Sequence, residues 1–167
     1  QRQMCIRDRW YKDENRESRT FAAVSRDLHS WQVLGAEITD CAQEGPNVFE
    51  LDGIRWMISD YWNGLAVYRS ADFRNWTRCP DILRESGTRP MDVGFAHHAD
   101  VLVKDGKAYI FYFCHPYADE GKAEEDGNGI FTERERNMAV VQAAQLKVQN
   151  GILICDRNAP VIWEKME

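Results

Sequence analysis

The sequence predicts an all-β fold, part of a β-propeller. Two strand-and-turn motifs recur at fixed offsets, and no stretch carries the period of a long amphipathic helix. The first repeat sets Ser25-Arg26-Asp27-Leu28-His29-Ser30-Trp31 over Ser70-Ala71-Asp72-Phe73-Arg74-Asn75-Trp76, with Ser, Asp and Trp in register 45 residues apart. The second sets Phe49-Glu50-Leu51-Asp52-Gly53-Ile54-Arg55-Trp56-Met57-Ile58 over Leu102-Val103-Lys104-Asp105-Gly106-Lys107-Ala108-Tyr109-Ile110-Phe111, 53 residues apart. Short strands joined by Asp-Gly or Asp-plus-Trp turns at this period mark propeller blades. A β-sandwich also has many short strands but would not repeat a turn-plus-Trp motif at fixed spacing.

Residues 1–9 show neither a signal-peptide pattern nor a strand or helix period. Met4-Cys5-Ile6-Arg7-Asp8-Arg9 is similar to the string that translated sequencing adapters leave in metagenomic reads, so 1–9 is expected to be a non-native or disordered leader. The partial propeller domain then runs from 10 to 167, in units of about 10–38, 44–83 and 96–155. Thr20 to Val24 and Leu65 to Arg69 read as strands, each entering a turn that its Asp caps, with Trp31 and Trp76 starting the next strand. Asp52-Gly53 and Asp105-Gly106 are hairpin turns. The polar stretch Asp119 to Arg136 reads as a solvated loop leading away from the functional face. These units make between two and three blades, so the chain is expected to be a fragment whose missing blades lie upstream.

Composition narrows the function classes. The 167 residues are 44% apolar and 11% aromatic, enough to bury a core. A net charge of -6 argues against nucleic acid and anionic lipid, since either would be repelled by the average field. No apolar run approaches the about 18 residues of a membrane span, so no membrane partner is expected. The five cysteines, Cys5, Cys41, Cys79, Cys114 and Cys155, are dispersed without a chelating pair and read as free thiols. That leans towards a reducing, cytoplasmic compartment but leaves localisation open.

Because a blade is an antiparallel meander, the start of its first strand and the end of its second share one face of the ring. That face receives Glu44-Gly45-Pro46-Asn47 and Asp60-Tyr61-Trp62-Asn63 from one unit, and His97-His98-Ala99-Asp100 and Cys114-His115-Pro116-Tyr117 from the next. Tyr11-Lys12-Asp13-Glu14 takes the corresponding turn of the incomplete unit, and the offset of 53 carries Glu44 onto His97. A carboxyl beside imidazoles and indoles in a mouth of restricted water can serve as a general acid. Trp62 and Tyr61 offer flat faces to a sugar ring, while Asn47, Asp60, Asp100, His97, His98 and His115 are candidates for holding its hydroxyls. Arg89 and Asp92, between units, are candidates for a substrate clamp, with a surface turn as the plainer reading.

These residues carry a resemblance. Glu44-Gly45-Pro46-Asn47-Val48-Phe49, with Asp52-Gly53 and Trp56-Met57-Ile58, resembles the blade of family 43 glycoside hydrolases and related five-bladed propeller glycosidases, whose inner strand opens with Glu-Gly-Pro or Glu-Ala-Pro. Gly94-Phe95-Ala96-His97-His98-Ala99-Asp100-Val101, with Asp105-Gly106 and Tyr109-Ile110-Phe111-Tyr112, is similar to a later blade whose Gly-x-Gly-His element sets a His near the central channel, often beside a cation. Two departures stand out: residue 96 is Ala where the pattern has Gly, and the His is doubled.

The resemblance implies an inverting hydrolase of arabinofuranosidase or xylosidase type acting on oligosaccharide or polysaccharide. Glu44 would be its general acid, facing an Asp base across a gap of roughly 6.5–9.5 Å that admits the attacking water. The base, on the first blade of the family, has no counterpart here, and a third, tuning carboxylate would also lie upstream. The fragment itself is therefore expected to be inactive. No cofactor is required, although a structural calcium in the channel, with His97 or His98 near it, is compatible with the resemblance. Two alternatives stay open: a related propeller glycosidase with a His general acid, and a non-catalytic propeller module that binds carbohydrate or protein at the same mouth.

Overall fold

The computed structural model describes residues 7–117 and 137–161. The stretch from Asp119 to Arg136 therefore lies outside the described residues. Among the described residues, eleven antiparallel strands form three sheets. The first sheet holds β1 (Arg7–Asp13), β2 (Arg19–Ser25) and β3 (Trp31–Ile38), and a 3-10 turn at Glu14–Arg16 links β1 to β2. The second holds β4 (Glu44–Leu51), β5 (Ile54–Asp60), β6 (Leu65–Ser70) and β7 (Trp76–Ile82), paired in chain order. The third pairs β8 (His97–Lys104), β9 (Lys107–Cys114), β10 (Val140–Gln149) and β11 (Ile152–Cys155) in the same way.

Local chemistry sets these hairpins. Asp52-Gly53 joins β4 to β5 and Asp105-Gly106 joins β8 to β9, with both residues of each pair at positive φ between 51° and 73°. That is the geometry a two-residue hairpin needs to match strand twist, and Asp with Gly adopts it cheaply. Asn150-Gly151 makes a third turn of the kind between β10 and β11. One boundary is corrected: β1 begins at Arg7, so Arg7, Asp8 and Arg9 of the expected leader pair with Ser25, Val24 and Ala23. Their polarity concealed the strand because they lie exposed, and the charges of Asp8 and Arg9 are used in contacts beyond the neighbouring strand β2. Asp8 faces Arg74 at 3.7 Å, and the Arg9 guanidinium lies 5.8 Å over the Trp31 ring.

The second sheet is buried on both faces, which is why β5 and β6 read as near-continuous apolar runs. Trp56, Ile58, Leu65 and Val67 turn towards the third sheet and meet Ile110, Tyr112, Ala144, Leu146 and Leu153. Met57, Ala66 and Tyr68, the alternate positions, turn towards the first sheet and pack with Ile38 and Trp10. Each such large side chain contributes about 1.5–3 kcal/mol on burial.

The connection from β7 to β8 is pinned by a buried ionic knot. Asp92, fully buried, accepts from Arg157 Nε at 3.1 Å, Arg89 Nη2 at 2.9 Å and the Tyr112 hydroxyl at 3.0 Å. Arg157 also donates to the Gly94 carbonyl at 2.8 Å, three residues before His97. Arg89 and Asp92 thus hold the chain on its way into the rim and are not a substrate clamp. Burial alone would raise the Asp92 pKa, but the two guanidinium partners outweigh it and hold the carboxyl below the usual range. Cys41, Cys79, Cys114 and Cys155 are all free thiols.

Candidate functional site

The three sheets meet at the rim around Glu44. Glu44 opens β4 and pairs with Asp60, the last residue of β5. Its carboxylate takes a partner from each neighbouring sheet. Lys12 Nζ of β1 lies 2.7 Å from Oε2, and His98 Nε2 of β8 lies 3.7 Å from Oε1. Lys12 also reaches Glu14 at 2.9 Å and stands 5.9 Å over the Trp62 ring. These two carboxylates raise the Lys12 pKa, the Glu44 hydrogen bond being the largest cause. Glu44 is half-buried, so the pair is reachable from solvent.

Asp60 lies beneath this pair, with its side chain only 1% exposed. Oδ2 meets His97 Nδ1 and the backbone N–H of His98, each at 3.1 Å, and Oδ1 accepts from the Trp62 N–H at 2.8 Å. Burial pushes its pKa up, but these hydrogen bonds outweigh burial and bring it below the ordinary carboxylate range. Asp60 is a buried hub, out of reach of a sugar hydroxyl in this arrangement. Trp62 is held in left-handed backbone conformation at φ 60° and remains 44% exposed, an indole face presented at the rim beside Lys12.

The histidine pair divides in two. The His97 ring packs inward, 5.4 Å from the rings of Phe113 and His115 and 4.8 Å from Phe95. The His98 ring turns towards Glu44. His115 Nδ1 lies 3.1 Å from the Met138 carbonyl, which ties it to the approach to β10. Asn47 Nδ2 donates to Asp100 Oδ1 at 2.5 Å, so these two expected substrate groups bind each other across the second and third sheets. Tyr61 is not at the mouth. Its hydroxyl donates to Asp81 at 2.7 Å, and burial followed by that hydrogen bond pushes its pKa up to about 12.

Sequence reasoning placed Lys12 and Gly45 on the right face but gave neither a role of its own. A signal was present for Gly45, since the offset of 53 that maps Glu44 onto His97 also maps Gly45 onto His98. A Cβ on Gly45 would stand 2.9 Å from His98 Nε2, so the glycine makes room for the imidazole.

Glu44, Asp60 and His98 offer donor atoms within 4.8 Å of one another, the best cation candidate among the described residues. Calcium takes six to eight oxygens, whereas this set has two carboxylates and an imidazole, with Asp60 already accepting three contacts and Lys12 seated on Glu44. The trio fits a hydrogen-bonded charge hub and not a calcium cage.

No family profile matches the sequence, and no curated protein does. Solved structures do match in shape. A thermostable family 43 glycoside hydrolase superposes with TM-score 0.57 at 14% identity, over 100% of this chain and 63% of that one. The chain has the fold of the propeller glycosidases. A family 32 β-fructofuranosidase from Bombyx mori gives TM-score 0.57 at 14% identity, over 90% of this chain and 34% of that chain. A family 117 glycoside hydrolase from Zobellia galactanivorans gives 0.56 at 14%, over 84% and 41%. This propeller glycosidase fold therefore spans between about a third and two thirds of each of those chains. Among the described residues no helix is long and apolar enough to cross a membrane.

Proposed function

We propose that the chain is part of an inverting propeller glycosidase, of arabinofuranosidase or xylosidase type, with Glu44 as its general acid. The observation that carries this reading is the position of Glu44. It is one half-buried carboxyl at the junction of three sheets, beside an exposed indole and an imidazole. In the proposed reaction a proton passes from Glu44 to the glycosidic oxygen as the bond to the anomeric carbon breaks. A water, relieved of its proton by an Asp base, attacks from the opposite side. Lys12 would have to release Oε2 as the leaving-group oxygen arrives, and Trp62 would stack on the sugar.

The same proposal holds that the chain is a fragment preceded by further blades that bring the base. The open first sheet supports it. Leu28 is 60% exposed beside Trp31, whereas the equivalent Phe73 beside Trp76 is covered by Trp10 of the preceding sheet. Polysaccharide or oligosaccharide is the substrate class. A binding module without catalysis is the second reading, favoured by the Lys12 ammonium lying on the would-be acid.

The test is Glu44→Gln in the complete reading frame. Loss of hydrolysis on natural glycosides, with rate recovered on an aryl glycoside whose leaving group needs no proton, is the expected result. Unchanged hydrolysis, or a reading frame lacking an Asp at the start of the first inner strand, overturns the reading.

A further inference from the structure

The inner strands of the second and third sheets carry the same bulge. In β4 it lies between the pairs Glu44↔Asp60 and Asn47↔Ile58, and in β8 between His97↔Phe113 and Asp100↔Phe111. The offset of 53 superposes the bulge residues Gly45, at φ 57°, and His98, at φ 27°. A left-handed bulge residue is ordinarily glycine, because a Cβ there crowds the backbone. The second sheet follows that preference. The third sheet sets a histidine in the same conformation, and strain of this kind persists where the surroundings enforce it.

The enforcement is visible. Asp60 Oδ2 accepts the His98 N–H at 3.1 Å, and Gly45 leaves the space its ring occupies. Held so, the His98 imidazole stands 3.7 Å from Glu44 Oε1. We propose that Asp60 is a positioning residue that acts on Glu44 through His98: its buried carboxylate holds the strained bulge and thereby aims the imidazole at the reacting carboxyl. This rests on Glu44 being that carboxyl. The charged and titratable groups around Glu44 are Lys12 from β1, with Glu14 behind it, Asp60 from β5, and His97 and His98 from β8.

The test uses the present chain and needs no hydrolysis. The Glu44 carboxyl is followed by carbon-13 NMR against pH in the parent, Asp60→Asn, His98→Gly and the double variant. His98→Gly is expected to move the Glu44 midpoint upward by at least about half a unit, since a cationic partner is lost, and Asp60→Asn to raise it only while His98 is present, because loss of the Asp60 negative charge by itself moves a nearby carboxyl downward. Relief of strain should also raise the unfolding midpoint of His98→Gly, which a purely structural histidine would not combine with a shifted Glu44. A Glu44 curve unmoved by His98→Gly overturns the proposal, even where Asp60→Asn does not fold. Additive shifts in the double variant overturn it too, since Asp60 would then act on Glu44 directly. A chain that passes this test yet hydrolyses nothing when complete would sink the glycosidase reading alone.

Discussion

The turns after β2 and β6 are two copies of one device placed in different surroundings. In the first, Ser25 Oγ accepts from Leu28 N at 2.8 Å and Asp27 Oδ1 accepts from His29 N and Ser30 N at 2.8 and 2.7 Å. In the second, Ser70 Oγ accepts from Phe73 N at 2.9 Å and Asp72 Oδ1 from Arg74 N and Asn75 N at 2.9 and 2.8 Å. Leu28 and Phe73 share a left-handed φ of 65° and 64°. The second turn adds a bond from Asn75 Nδ2 to Asp72, and the larger difference is the cover. Phe73 and Trp76 lie against Trp10 of the first sheet, with ring centroids at 6.0 and 6.3 Å, and Arg55 lies over Phe73 at 4.5 Å. Leu28 has no comparable aromatic over it among the described residues and is 60% exposed. The turn is thus made by its own side chains, and a neighbouring sheet adds burial to a shape already formed.

That comparison can be broken most severely at Trp10. Trp10→Ala should strip the cover from the second turn and cost about 2–3 kcal/mol in urea unfolding, below the full price of a wholly buried Trp because Trp10 is half-buried. An effect no larger than that of an exposed surface change would show that the cover contributes nothing.

The capping carboxylates sharpen it next. Hydrogen bonds from Asn75 N, Arg74 N and then the Asn75 side chain hold the Asp72 pKa well below the usual carboxylate range, and those from Ser30 N and His29 N lower Asp27. A lowered folded pKa gives stability that is present above the unfolded value and lost as pH falls through the folded one. Asp72→Ala should therefore lower the melting temperature at neutral pH, by more than Asp27→Ala because Asp72 also holds Asn75 Nδ2 at 2.6 Å. Both differences from the parent should fade towards about pH 2. A deficit that persists undiminished in acid would mean that the caps do not act through charge. The smallest effect belongs to Leu28→Ser, expected within about 0.5 kcal/mol of the parent, whereas Phe73→Ser should be clearly destabilising.

The rim shows the opposite balance between local and distant causes. Its face was legible, since strand alternation and the offset of 53 put Glu44, Asp60, Trp62, His97 and His98 together. Its wiring was not. That Asp60 serves His97, His98 and Trp62, that Tyr61 leaves for Asp81, and that Asn47 and Asp100 bind each other depend on which way each strand end turns at its bulge. The strand at Arg7–Asp13 was partly hidden for a related reason, because its polar residues are matched by charges on other sheets.

The amino-acid order by itself determined the hairpins at Asp52-Gly53 and Asp105-Gly106, the Ser-Asp caps, and the in-and-out alternation that makes β5 and β6 a two-sided core. Each is settled among residues a few positions apart, where backbone preference and side-chain capping act without help. Only the tertiary structure decided that Lys12 lies on Glu44, that Asp92 is locked between Arg89 and Arg157, and that His98 occupies the space Gly45 leaves open. Those pairings join residues 3 to 65 positions apart, and the longer ones come about when packed sheets bring strand ends within a few ångströms, a distance that no local pattern encodes.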